Sequence, residues 1–244
     1  SVSLHLPEGT LVNPVEPAPV NSRTATLKRI AGSIVGALKG ALPGHIPADS
    51  AGELLVLSLG GKHSDGKPYV VGEFNAGGSG GGPRKDGVDV IETDGSNCMN
   101  MPVEALELEA PARVHRMSLR TDSGGVGEFR GGLGCVREIE FLADDIALTH
   151  RGERHRHAAR GSQGGGVGAK AFSKIVRRDG SEEVVNSKLF TVVHAGERLI
   201  VETAGGGGYG KPNKRNRQAI RDDVSNRKVS QQCANAEYGL DDVN

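Results

Sequence analysis

Arg113-Val114-His115-Arg116-Met117-Ser118-Leu119-Arg120 alternates in character from residue to residue. It runs into Thr121-Asp122-Ser123-Gly124-Gly125-Val126-Gly127-Glu128-Phe129-Arg130-Gly131-Gly132-Leu133-Gly134. A second alternating stretch, 135–142, follows. Alternation is the mark of a half-buried strand, whose successive side chains point to opposite faces. It places His115, Met117 and Leu119 on one face against Arg116, Ser118 and Arg120 on the other. Strand, glycine loop, strand is therefore the repeating idea of this chain.

Working outward, further strands are expected at 53–59, 69–74, 146–150, 171–178, 183–190 and 198–203. Ser64-Asp65-Gly66 and Asp179-Gly180 are turn sequences between them. Ahead of the strands, Leu27, Ile30, Ala31, Ile34, Val35, Leu38, Ala41 and Leu42 recur at helical spacing, with Lys28, Arg29 and Lys39 on the other side. Asn21 or Ser22 can cap this helix, and Pro43-Gly44 stops it. Pro7, Pro14, Pro17 and Pro19 make the first twenty residues an extended leading segment. Residues 102–108 can form a short helix. The polar tail from Asn213 is helical in pattern, with Ile220 and Val224 on one side. The expected class is α+β: a mainly antiparallel β body, a leading amphipathic helix and a helical C-terminal tail.

Composition bounds the function. The 244 residues carry 30 basic and 30 acidic side chains. This balance removes the electrostatic case for nucleic acid or an anionic membrane surface. No run approaches the roughly 18 apolar residues of a membrane span. Trp is absent, and Phe and Tyr together number eight, so the core is aliphatic. With 37 glycines, part of the apolar surface is expected to be completed by another chain. Cys98, Cys135 and Cys233 show no metal or disulfide spacing, which points to reduced thiols in a cytoplasmic protein. Ser1–Leu6 lacks the features of a signal peptide, and Ser1 points to a processed product or a fragment. A Ser1 nucleophile would need a cleavage precursor. No GxSxG nucleophile elbow occurs.

Four glycine loops hold the candidate chemistry. Gly205-Gly206-Gly207-Gly208-Tyr209-Gly210-Lys211-Pro212 has P-loop spacing, but Pro212 replaces the magnesium-binding hydroxyl, so a structural turn is expected. Gly77–Gly82, followed by Asp86-Gly87, offers backbone N–H groups to an anion or simply makes tight turns. In the central loop, Asp122 and Arg130 can pair with each other or meet a ligand. In His150-Arg151-Gly152-Glu153-Arg154-His155-Arg156-His157, His155 and His157 share a face if this is a strand. A metal pair, a solvated basic surface and an anion-contacting patch are the three readings of that segment.

The order of the motifs carries a resemblance. Pro7-Glu8-Gly9-Thr10-Leu11-Val12-Asn13-Pro14 comes first, then Ala41-Leu42-Pro43 with Ile46-Pro47-Ala48, and Gly77-Gly78 with Asp86-Gly87. Next are Asn100-Met101-Pro102-Val103-Glu104 with Glu107, Asp122-Ser123-Gly124-Gly125, and Arg130-Gly131-Gly132-Leu133-Gly134. Gly205–Pro212, Asp222-Asp223-Val224 and Ala236-Glu237-Tyr238-Gly239 complete the series. In this order they resemble the B subunit of the hydantoinase/oxoprolinase family.

The resemblance implies a subunit that works with an A-type, ATP-binding partner to open cyclic amides such as hydantoins, oxoproline or lactams. Related ketone carboxylases are the alternative activity, and a purely structural assembly subunit is the non-enzymatic one. ATP with magnesium belongs on the partner. The divalent-metal ligands of the family's carboxylases belong to the N-terminal part of the B subunit. This chain is expected to bind no cofactor itself, and to sit in a hetero-oligomer with the A-type subunit and that N-terminal part. Family B subunits are roughly twice this length. Residues 1–244 are thus read as the C-terminal portion: leading segment and helix (1–50), β-rich body (51–204), Gly turn and helical tail (205–244). The family's Pro-Trp-Gly stretch reads Ala158-Ala159-Arg160-Gly161 here.

No catalytic residue transfers onto this segment. The expected substrate-binding residues are Asp86, Glu104, Asp122, Arg130 and Arg154. Arg130 and Arg154 suit a phosphorylated intermediate or nascent carboxylate, and Asp86 and Glu104 suit ring N–H groups or water.

Overall fold

Strands β1 (Leu54–Lys62) and β2 (Pro68–Ala76) pair antiparallel from Leu54↔Ala76 to Lys62↔Pro68. The turn between them uses Gly66 at φ +84°, a left-handed conformation that costs a residue without Cβ little. The computed structural model of the protein describes residues 3–20, 23–52, 54–96 and 98–240. The expected helix caps Asn21 and Ser22, the strand start at Glu53, and Ser1 lie outside the described residues.

Helix α1 (Arg23–Ala41) precedes the strands. After β2 come α2 (Val103–Glu109), β3 (Ala112–Leu119), β4 (Cys135–Phe141), β5 (Ile146–Arg151), β6 (Phe172–Val176), β7 (Glu182–Val184), β8 (Lys188–Val193) and β9 (Arg198–Glu202). A 3-10 turn at Pro212–Lys214, α3 (Arg217–Ser225) and α4 (Gln231–Tyr238) form the tail. The strands make two antiparallel sheets, β2-β1-β5-β8 and β3-β4-β9-β6-β7. The α+β class is the one expected.

Between the sheets lies an aliphatic core. Leu55, Leu57, Leu59, Ile146 and Leu148 come from one sheet, and Ile139, Phe141, Ile175, Leu199 and Val201 from the other. Each such buried side chain contributes about 1.5–3 kcal/mol relative to exposure. An ion pair sits among them: Arg137 on β4 is fully buried and pairs with buried Glu73 of β2.

Three local expectations change. The run 183–190 is two strands. The chain leaves one sheet at Val184, tucks in buried Val185 and joins the other sheet at Lys188. Alternation cannot reveal a strand that changes sheets. In β3 a bulge between Val114 and Arg116 shifts the alternation by one residue. His115 therefore turns away from Met117 and pairs with Glu140 at 2.7 Å.

Third, α1 is turned around. Its basic side faces the body: Lys28 is 1% exposed and reaches Glu92, and Lys39 pairs with Asp49. Its apolar stripe, Leu27, Ile30, Ile34 and Leu38, is exposed.

The outer faces of the sheets differ in kind. Across the five-stranded sheet run the pairs His115–Glu140, Arg198–Glu138 and Lys174–Glu182. The four-stranded sheet instead shows Val70, Phe74, Phe190 and Val192 to the outside.

Candidate functional site

The four glycine loops pack on one another. A Cβ on Gly206 would lie 1.9 Å from the Ser79 carbonyl oxygen, and one on Gly78 would lie 1.8 Å from that of Gly132. Only glycine lets backbones approach this closely. Hydrogen bonds stitch the contact: Gly206 N–H donates to Gly132 O (2.9 Å), Gly125 N–H to Gly206 O (2.8 Å), and Gly132 N–H to Ser79 O (2.8 Å).

This lattice decides the anion question for two loops. From Gly205 to Gly210 each amide donates to a protein carbonyl: those of Ala169, Gly132, Asp49, Gly166, Phe129 and Ser162 in turn. No N–H remains to hold a phosphate, so the P-loop spacing does not describe a nucleotide site. From Gly78 to Gly82 the amides are likewise spent, on Ala204 O, Val88 O, Ser50 Oγ, Gly207 O and Lys85 O. The cradle reading of that loop gives way to tight turns.

Beside the lattice, a buried ion network ties the loops to the tail. Arg215 donates to both Asp86 oxygens and to Asp223, each at 2.7 Å, and to Glu128 O at 3.0 Å. Its ring neighbour is Tyr238, 6.0 Å away. Burial pushes the Asp86 carboxyl up, but hydrogen bonding and the charge of Arg215 outweigh it and hold Asp86 below its ordinary value. Arg130, 2% exposed, contacts Asp89 (3.1 Å) and Asp223 (3.5 Å), and Lys228 closes on Asp89 at 2.8 Å.

The expected Asp122–Arg130 pair is absent: Asp122, at φ +61°, accepts from Ser230 N–H at 2.8 Å, at the start of α4. The physical reason is competition. Asp89 and Asp223 reach the Arg130 guanidinium first, while the left-handed backbone aims Asp122 at the tail.

A cavity of about 950 Å³ opens between α1, the 47–52 segment and the 154–170 loop. Arg154 lines it, at φ +58°, donating from Nε to Ala51 O (2.7 Å) and from Nη2 to Ser50 O (2.8 Å). Asp49 is shared by Lys39 and Arg160, and these cations offset burial to keep its carboxyl low. Arg156, His157 and Lys170 also line the cavity.

His155 and His157 do not form a metal pair, because 152–158 is irregular rather than a strand. His155 packs edge-on against His150, ring centroids 5.4 Å apart. Burial lowers both imidazoles, His150 to about 4, so they are neutral at pH 7. Among the described residues no three His, Cys, Asp or Glu side chains converge on a metal position. No helix among them is long and apolar enough to cross a membrane.

Of the five expected site residues, then, Arg154 lines the cavity, Asp86 and Arg130 share the ion network, and Asp122 braces the tail. Glu104 is exposed in the first turn of α2 and lines no part of the cavity. Sequence reasoning missed Arg215 and Asp89, the network's hub and bridge, and Asp49 and Lys170 on the cavity wall. Asp223 lies in the quoted Asp222-Asp223-Val224 block, which was the one available signal. Nothing in the tail's composition marks Arg215.

The sequence profile described as Hydantoinase B/oxoprolinase matches residues 1–212. The chain is 30% identical over 98% of its length to the putative D-/L-hydantoinase B subunit of Pseudomonas sp. (strain NS671), and spans 40% of that relative. It superposes over its whole length on 44% of a chain in the crystal structure of ATP-dependent caprolactamase from Pseudomonas jessenii, with a TM-score of 0.86 and 31% identity. A nucleotide-free acetone carboxylase structure, at 20% identity and a TM-score of 0.69 over 80% of this chain, shares the fold. The chain therefore belongs to the hydantoinase B/oxoprolinase family.

Proposed function

We propose that this chain is part of the B-type subunit of an ATP-dependent enzyme that opens cyclic amide bonds, with ATP and magnesium handled by an A-type partner. One observation carries the reading: the whole chain superposes on part of an ATP-dependent caprolactamase chain. The spent amides of Gly205–Gly210 agree with nucleotide binding elsewhere. Exposed apolar residues on α1 and on the four-stranded sheet agree with burial against the remainder of a larger body. The division into a leading segment and helix, a β-rich body and a Gly turn with helical tail is part of this proposal.

Within it, Arg154 works on the substrate side, at the cavity. Asp86, Arg130 and Asp122 are positioning residues: they lock the tail and the glycine loops that form the back of that wall. Glu104 keeps a substrate-side role only if Glu104→Gln raises KM.

The test is turnover by the reconstituted complex of A-type and complete B-type subunits. Caprolactam, 5-oxoproline and hydantoin are supplied with ATP, and acetone with ATP and bicarbonate in parallel. ATP-dependent loss of a cyclic amide is the expected result. Bicarbonate-dependent carboxylation with inert amides replaces the reading by a ketone carboxylase, and no turnover in either arm leaves an assembly subunit. Arg154→Gln is expected to raise KM at least tenfold; unchanged kinetics remove it from the site.

A further inference from the structure

We infer that the cavity beside α1 is an oxyanion site, built for a ligand that carries a carboxylate or a phosphate. Six cations line it (Lys28, Arg29, Arg154, Arg156, Arg160 and Lys170) against two carboxylates, Asp49 and Asp94. Asp49 is already shared by Lys39 and Arg160, and Asp94 accepts from the Thr93 hydroxyl at 2.8 Å. Lys28 has its own partner in Glu92 at 3.5 Å. The side chains of Arg156 and Lys170 have no hydrogen bond or ion pair among the described residues. Two unpaired cations facing one partly walled space raise the local concentration of anions, and a guanidinium binds two oxygens of a carboxylate or phosphate at once.

The helix wall is kept bare. Gly32 and Gly36, one turn apart on α1, both line the cavity, and a Cβ at Gly32 would meet no atom within 4 Å. A glycine inside a helix costs about 1 kcal/mol against alanine. Gly32 and Gly36 leave room on the cavity side at that cost, and Gly40, the third glycine of the helix, lies off the cavity. The volume, about 950 Å³, suits a small molecule.

This inference deepens the function proposed above and rests on it for the ligand's identity. Hydrolysis of a ring amide adds water across its C–N bond and creates one new carboxylate, which turns an uncharged lactam such as caprolactam into a carboxylate-bearing product. A wall of this charge prefers the opened or phosphorylated species to the uncharged ring.

The test is calorimetric titration of the full chain with inorganic phosphate, with glutarate as carboxylate probe, and with 2-piperidone as uncharged ring. Saturable binding of phosphate or glutarate, with 2-piperidone silent at the same concentration, is expected; the stronger of the two anions names the source. Gly32→Leu fills the cavity with a better helix former and is expected to weaken binding at least tenfold without lowering the melting temperature. Arg156→Gln combined with Lys170→Gln is expected to weaken it by a similar factor, and carries the test if Gly32→Leu does not fold. No saturable binding of either anion, or binding that neither variant changes, overturns the inference. Turnover is not read here, so failure of the anion site and failure of the proposed activity are separate results.

Discussion

Replacing Gly206 with alanine sets a methyl group against a backbone that has nowhere to go. The new Cβ would stand 1.9 Å from Ser79 O and 2.3 Å from the Ser79 carbonyl carbon. Ordinary carbon contacts sit at about 3.5–4.0 Å, so the segment must retreat by roughly 1.5 Å. Its bonds to Gly132 O and from Gly125 N–H, now 2.9 and 2.8 Å, cannot survive that shift. Each buried polar group left without a partner costs about 1–3 kcal/mol, so losing the two bonds costs about 2–6 kcal/mol. The whole stability of a domain is about 5–15 kcal/mol. For this chain length 1 kcal/mol moves the melting temperature by about 2–4 °C, so Gly206→Ala is expected to melt roughly 5–20 °C lower. Gly32→Ala, in open space on α1, is the control and is expected to melt no lower than the parent. Thermal unfolding followed by circular dichroism reads both. A Gly206→Ala protein melting within about 2 °C of the parent would show that the loops do not hold each other, and the scaffold account of the glycines would fail.

Three further outcomes follow from the same contacts. Arg215→Met strands Asp86 and Asp223 without their shared cation, and is expected to cost about 3–5 kcal/mol. Hydrogen exchange in α3 and α4 should accelerate; unchanged protection there removes Arg215 as the clamp on the tail. His150 is buried and neutral, with its folded pKa lowered by burial from 6.5 to about 4. Its stabilising contribution is complete above pH 6.5, and the unfolded chain takes up the proton first as pH falls toward 4. About 3 kcal/mol is lost over that window. Urea unfolding at pH 7 and 4.5 should show a smaller difference in His150→Gln than in the parent; equal differences refute the assignment. The carboxyls of Asp86 and Asp89 are depressed below 3.8 by their cation partners against the opposing effect of burial. Their contribution is present above that value and is lost only as pH falls further. A second acid transition below pH 3.8 should therefore shrink in Asp86→Asn.

Much of the fold was legible from local patterns. Period-2 alternation marked most of the strands, because a half-buried strand must alternate. Helical spacing marked α1, and Asp-Gly pairs marked the hairpin turns at Gly66 and Gly180, whose φ values are +84° and +82°. The misreadings were all non-local. The His115 bulge and the sheet change at Val185 depend on what lies across the strand. The inward turn of Lys28 depends on Glu92, far along the chain, and that of Lys39 on Asp49, which lies beyond the end of the helix. In the candidate site, Arg154 could be picked out because it follows a strand and borders glycine, but Arg215 could not, because its partner Asp86 lies 129 positions away.

What the sequence alone determined is the inventory: an aliphatic β body, a leading helix, a polar tail, four glycine loops in family order and no charge excess. Only the tertiary structure decided what the glycines are for. A run of glycines permits both a ligand cradle and backbone contact. Which one occurs depends on whether the amides are already bonded, and here those of Gly78–Gly82 and Gly205–Gly210 are all taken by acceptors of the protein itself. The cations that line a cavity lie instead beside α1, and Arg154, Arg156, Arg160 and Lys170 meet Lys28 and Arg29 there only because the 154–170 loop folds against the helix.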